Sequence, residues 1–121
     1  FSLEYIFGQV FRVFAWVIGV EWVDTLQVGS LLGQKTVINE FVAYLSLAEM
    51  KEAASISTKS IIISTYALCG FSNFSSIAIQ LGGISIIAPN QQGNLSRLGF
   101  RALFAASLAC LMTATVAGML V

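Results

Sequence analysis

Histidine is missing from this sequence, and charge is scarce: six basic and six acidic residues in 121, or 10% of the chain. Without histidine the commonest general base and metal ligand is gone. The two signs cancel, so nothing suggests a nucleic-acid partner. No Ser–His pair can form. Lys35, the only lysine inside an apolar segment, would have to reach a distant serine to make a dyad. The chain therefore reads as no enzyme, with no covalently bound cofactor. Cysteine occurs twice, at Cys69 and Cys110, both in apolar runs without metal-like spacing, and both read as buried packing residues. The first residue is Phe1, not Met, and no signal peptide is visible, so a piece of a longer protein is expected.

What the chain has in abundance is apolar surface. Hydrophobic residues make up 57% and the mean hydropathy is +0.85. Soluble domains average about 45–50% apolar and about 25% charged. The expected class is an all-α integral membrane protein in a lipid bilayer.

The apolar pattern divides into four pieces. Residues 1–22 contain the run LEYIFGQVFRVFAWVIGV, interrupted by Glu4, Gln9 and Arg12. A mid-segment charge is costly in lipid, so a helix along the membrane surface fits, with Arg12, Trp16 and Trp22 near the interface. A tilted span is the alternative. Residues 25–49 read as a re-entrant hairpin. One short helix runs from Thr25, with Asp24 as a candidate N-cap, to Ile38; a second runs from Phe41 to Ala48; the polar pair Asn39-Glu40 lies between. A polar connection, Glu49 to Lys59, follows, in which Ser57 or Thr58 can cap the next helix. Residues 58–89 read as a broken helix. The run from Ile61 to Ala88 would be about 42 Å long as one helix, beyond the hydrocarbon thickness. It carries Gly70 and a cluster of Ser72, Asn73, Ser75 and Ser76, so halves near 61–69 and 77–88 are expected, with Pro89 as the stop. A polar loop from Asn90 to Leu98 leads to a transmembrane helix within residues 95–121. Arg97 and Arg101 make that loop the cytoplasmic one, which places the hairpin entrance and the C-terminus outside.

Two features could carry chemistry. Glu40 at the hairpin tip is either solvated or faces an aqueous cavity and accepts hydrogen bonds there. The cluster from Ser72 to Ser76 is either glue between helices or unwound backbone lining a site near the membrane midplane.

Two strings then stand out: GQKTVINEFVAY, Gly33 to Tyr44, and STYALCGFSNFSSIAIQLGG, Ser64 to Gly83. With the YIF and WVIGV pieces near the start and the RLGFRAL opening of the last helix, they strongly resemble the C-terminal part of the concentrative nucleoside transporter family. The resemblance implies a symporter for nucleosides, driven by Na+ or H+ and built from two inverted repeats, of which this chain is the second. It implies that Glu40 accepts hydrogen bonds from ribose hydroxyls, that Asn73 and Ser76 also reach the ribose, and that Phe71 lies beside the nucleoside. It assigns the base and the coupling cation mainly to the N-terminal half, and implies a homotrimer with multi-pass topology in the plasma or inner membrane. Ser72 departs from the alanine most often found between the Phe and Asn of this motif, and GQVFRVFAW departs from the usual first-helix pattern. Two other classes remain open: a channel using the same polar break for ions, and a structural membrane module whose polar cluster only bonds helices.

Overall fold

The computed structural model describes residues 2–121; residue 1, the first of the expected interfacial segment, lies outside the described residues. Among the described residues six α-helices follow one another: α1 (Leu3–Val17), α2 (Thr25–Val37), α3 (Glu40–Glu52), α4 (Thr58–Leu68), α5 (Phe74–Ile87) and α6 (Gln92–Leu120), with one 3-10 turn at Pro89–Gln91. Among the described residues there is no strand, as expected for an all-α chain.

α1 begins at Ser2, whose Oγ accepts from the Tyr5 N–H at 3.3 Å. Its small residues Gly8 and Ala15 are buried, and they set how closely α2 approaches. A Cβ on Gly29 of α2 would lie 2.6 Å from the Gly8 carbonyl oxygen, so only glycine permits this crossing. Arg12 is held against the start of α2. Its Nε donates to Thr25 Oγ1 at 3.0 Å, and its guanidinium lies 4.2 Å from the centre of the Trp22 ring. Trp22 in turn meets Trp16 edge-on. The charge that interrupts the first apolar run is thus tied down by Thr25 and the Trp22 ring.

Asp24 does not cap α2. Its backbone is already helical and its side chain makes no bond to the first turn. Instead Oδ2 accepts from the Ser57 N–H at 3.0 Å and from Ser60 Oγ at 2.6 Å, at the start of α4. Burial alone would push this carboxyl up, but the bonds from Ser60 and Ser57 outweigh it and hold the pKa below the ordinary value of 3.8. Ser57 itself caps α4, its Oγ accepting from the Ser60 N–H at 3.2 Å.

α2 and α3 are each 13 residues, about 20 Å, shorter than a bilayer core. They pack together as a hairpin joined by Ile38 and Asn39 alone. Asn39 is extended, and its Oδ1 accepts from the Val42 N–H at 3.0 Å, which starts α3 at Glu40. α3 continues past the expected end at Ala48 to Glu52: Glu, Met and Lys favour helix, and their polarity alone does not end one. The core lies where α2, α4 and their neighbours meet, around Val28, Leu31, Ile63 and Leu68.

The last part is longer in helix than the composition suggests. The stretch from Asn90 to Leu98, expected as a loop, is helical from Gln92 onward. Pro89 stops α5 and opens the next turn, where its missing N–H and fixed φ suit a first position. Asn94 Nδ2 then donates to Gln91 Oε1 at 2.8 Å. The helical stretch Pro89–Leu120 is, among the described residues, the single one long and apolar enough to cross a membrane.

Candidate functional site

The long apolar run after Ser57 is two helices, not one. α4 ends at Leu68, and helical bonding resumes at Phe74. The break spans Cys69 to Asn73, so Ser72 and Asn73 lie in it, while Ser75 and Ser76 form the first turn of α5. Gly70 makes the turn, with φ of +146° in a region that disfavours side chains. A Cβ there would also stand 2.8 Å from Cys110 Sγ on α6. The cysteines are not the buried packing residues expected. Cys69 is exposed, where α4 ends and the break begins, and Cys110 on α6 is half-buried. Cys110 donates to the Cys69 carbonyl at 3.3 Å.

Asn73 organises the break. It is extended and caps α5: its Oδ1 accepts from the Ser76 N–H at 2.7 Å and from Ser76 Oγ at 2.9 Å. With the amide oxygen turned to its own helix, the nitrogen points outward. Nδ2 donates to Glu40 Oε2 at 2.7 Å. A second bond runs alongside, from Ser75 Oγ to the Ile38 carbonyl at 2.9 Å. The hairpin tip is therefore fastened to the amino end of α5 by two bonds. Asn73 is 1% exposed, and Glu40 is half-buried.

Beside this junction, between α5 and α6, lies a cleft of about 320 Å³. Phe71, Ser72, Asn73 and Ser76 line one end, and Gln80 and apolar residues of both helices line the rest. Phe71 is 76% exposed and forms the open edge. Of the four residues singled out from the sequence, Phe71, Asn73 and Ser76 share the cleft wall. Glu40 does not line it; it reaches the group through Asn73. Ser75, part of the polar cluster, acts as the glue between helices that was one of its two readings. Two contributors were not legible as such: Lys35, whose Nζ donates to the Ala67 carbonyl at 2.8 Å, and Tyr44, whose hydroxyl donates to the Thr65 carbonyl at 2.8 Å. The one signal for Lys35 was its charge inside an apolar helix. Tyr44 gave none beyond its place after NEFVA.

The junction offers a carboxylate acceptor, an amide with both roles, hydroxyls and an aromatic edge. It also brings together the carboxyl end of α4 and the amino end of α5. Such a set suits an uncharged, hydroxyl-rich ligand with a flat apolar portion. Among the described residues no three of Cys, Asp and Glu cluster as a metal site would need.

These features define a class: a helical membrane module in which the tip of a short hairpin meets an interrupted helix. Comparison with known proteins makes the class specific. Residues 1–118 match the family described as "Na+ dependent nucleoside transporter C-terminus", and the chain belongs to it. The chain is similar to the "Uncharacterized transporter YutK" of Bacillus subtilis (strain 168), 47% identical over 120 residues, which cover 99% of the chain and 29% of that protein. It is also similar to solute carrier family 28 member 3 of Rattus norvegicus, 42% identical over 132 residues, covering 98% of the chain and 19% of that protein. The structure resembles that of CNTnw in an inward-facing substrate-bound state, with a TM-score of 0.93 and 45% identity over 98% of this chain and 29% of that one. The chain thus spans less than a third of each. The two sequence relatives are named as a transporter and a solute carrier, not as enzymes.

Proposed function

We propose that the chain is the C-terminal half of a cation-coupled nucleoside symporter and forms the ribose side of its substrate site. The observation that carries this reading is the 2.7 Å bond between Asn73 Nδ2 and Glu40 Oε2. It joins two segments far apart in sequence at one point beside a cleft with an aromatic edge. A ribose presents vicinal hydroxyls, which can donate to the carboxylate of Glu40 and accept from the amide of Asn73. Ser76 adds a hydroxyl, and Phe71 a flat surface for the base end of the nucleoside. The family description names Na+ as the driving ion; H+ can serve the same coupling, and the base and cation are held mainly by the N-terminal half. The whole protein is a multi-pass homotrimer in the plasma or inner membrane. Of the described residues, 2–22 lie at the interface, α2 and α3 form a re-entrant hairpin, α4 and α5 are one broken transmembrane helix, and α6 crosses the bilayer.

The test compares a nucleoside with its free base, using full-length wild type and Glu40→Ala. Hydrogen bonds to charged groups contribute about 1.5–3 kcal/mol, so nucleoside affinity should fall roughly ten- to a hundredfold. Free base should bind poorly to wild type and be little affected by the substitution. Equal losses for both ligands would remove Glu40 from the ribose site, and no loss for either would make it a solvated tip.

A further inference from the structure

A helix that stops inside a membrane protein leaves its last carbonyls without intrahelical donors. At the carboxyl end of α4 three of these carbonyls are taken up one by one. The Tyr66 carbonyl accepts from the Cys69 N–H at 3.2 Å. The Thr65 carbonyl accepts from the Tyr44 hydroxyl, and the Ala67 carbonyl from Lys35 Nζ, both at 2.8 Å. Lys35 and Tyr44 come from the two arms of one hairpin: Lys35 near the end of α2, Tyr44 one turn into α3. Lys35 is 3% exposed. A buried ammonium is costly unless partnered, and the open carbonyls and negative dipole of a helix carboxyl end favour a cation. Neither residue lines the cleft that holds Phe71, Asn73 and Ser76.

The same hairpin is fastened to α5 as well. Ser75 donates to the Ile38 carbonyl, and Asn73 donates to Glu40. The arms therefore grip one half of the interrupted helix while the tip grips the other. Glu40 and Tyr44 stand four residues apart on α3 and share a face. The bond from Tyr44 to α4 thus fixes the rotation of the face that presents Glu40. Lys35 fixes the other arm just before the tip.

We propose that Lys35 and Tyr44 are positioning residues: a two-armed clamp on the carboxyl end of α4 that holds Glu40 in register with Asn73. The proposal rests on the ribose role of Glu40 and Asn73 given above. Neither clamp residue touches the ligand. They act by holding the hairpin and the broken helix as one unit.

The experiment is a double-mutant cycle in the full-length transporter, reading nucleoside binding in wild type, Lys35→Met, Glu40→Gln and the double variant. Lys35→Met keeps the length and apolar stem but removes the charge. It should weaken nucleoside binding about tenfold, and Glu40→Gln by at least as much. The double variant should bind within about twofold of Glu40→Gln alone, since a clamp that works through Glu40 has nothing left to position. A residue serving only general stability would give a loss equal to the product of the two. That product, or full affinity in Lys35→Met, would overturn the clamp and leave Glu40 in the site. Unchanged affinity in Glu40→Gln would overturn the site and the clamp together. Should Lys35→Met not fold, Tyr44→Phe removes a single hydroxyl and carries the same cycle, with an expected loss of about threefold.

Discussion

Asn73 holds two structural positions with one amide. Its oxygen caps α5 through the Ser76 N–H, and its nitrogen holds Glu40. Ser76 contributes its hydroxyl to the same oxygen, but its backbone N–H stays whatever the side chain. The two substitutions should therefore separate binding from stability. Asn73→Ala and Ser76→Ala should each weaken nucleoside binding by roughly two- to tenfold, as neutral bonds contribute about 0.5–1.5 kcal/mol. Asn73→Ala alone should also lower thermal stability, by about 1 kcal/mol, because it removes an N-cap. Neither loss should add fully to that of Glu40→Ala, since all three groups would serve one sugar. The readout is nucleoside titration together with thermal unfolding of each full-length variant. Equal stability losses from both would mean that the cap is not what Asn73 supplies.

At the scale of elements, Asp24 links the entrance of the hairpin to the first turn of α4 through Ser57 and Ser60. Its carboxyl is held below its ordinary value. A carboxylate depressed in the folded state gives stability that is complete above its unfolded pKa and is lost as pH falls through the lower folded value. At pH 7 Asp24→Asn should therefore cost about 1–2 kcal/mol. Below about pH 4 the wild type should lose that advantage, and the two unfolding curves should converge. A constant gap from pH 7 to pH 3 would sink this account of Asp24. The same residue shows where sequence reading reached its limit. Asp before Thr is a reasonable cap signal, but a side chain one residue from a helix start can serve another helix, 33 positions away, and spacing carries no trace of that. The polar stretch from Asn90 to Leu98 misled for a related reason: polarity marks exposure, and an exposed stretch can be helical. The tip at Asn39-Glu40 and the break at Asn73 were legible because polar residues inside an apolar run must be accommodated by ends, bonds or water. That Glu40 bonds directly to Asn73 was not legible from the residues alone; only the fold shows the contact.

The whole molecule is lopsided. α5 has no buried residue, and α6 buries only Ala114 and Ala117. Along α6 the residues Phe100, Phe104, Leu108, Met112 and Val116 recur every fourth position and are all exposed. Such a row needs lipid or protein against it. The cleft beside Asn73 has walls only from the break, α5 and α6. If the base and the cation are held by a first half, then the 121 residues alone contain one side of a site and no path across a membrane. Reconstituted in liposomes, the isolated chain should show no nucleoside-dependent uptake of Na+ or H+. Under the proposed reading, co-expression with the first half as a separate polypeptide should restore uptake, since helices in a membrane associate through noncovalent packing. Substituting Glu40→Ala in that split pair should abolish most of the recovered uptake at low nucleoside concentration and less at high, since the loss is one of binding. Coupled uptake by the isolated chain would show that the site and the path are complete without a second half, and the role given to the open face of α5 and α6 would fall with it.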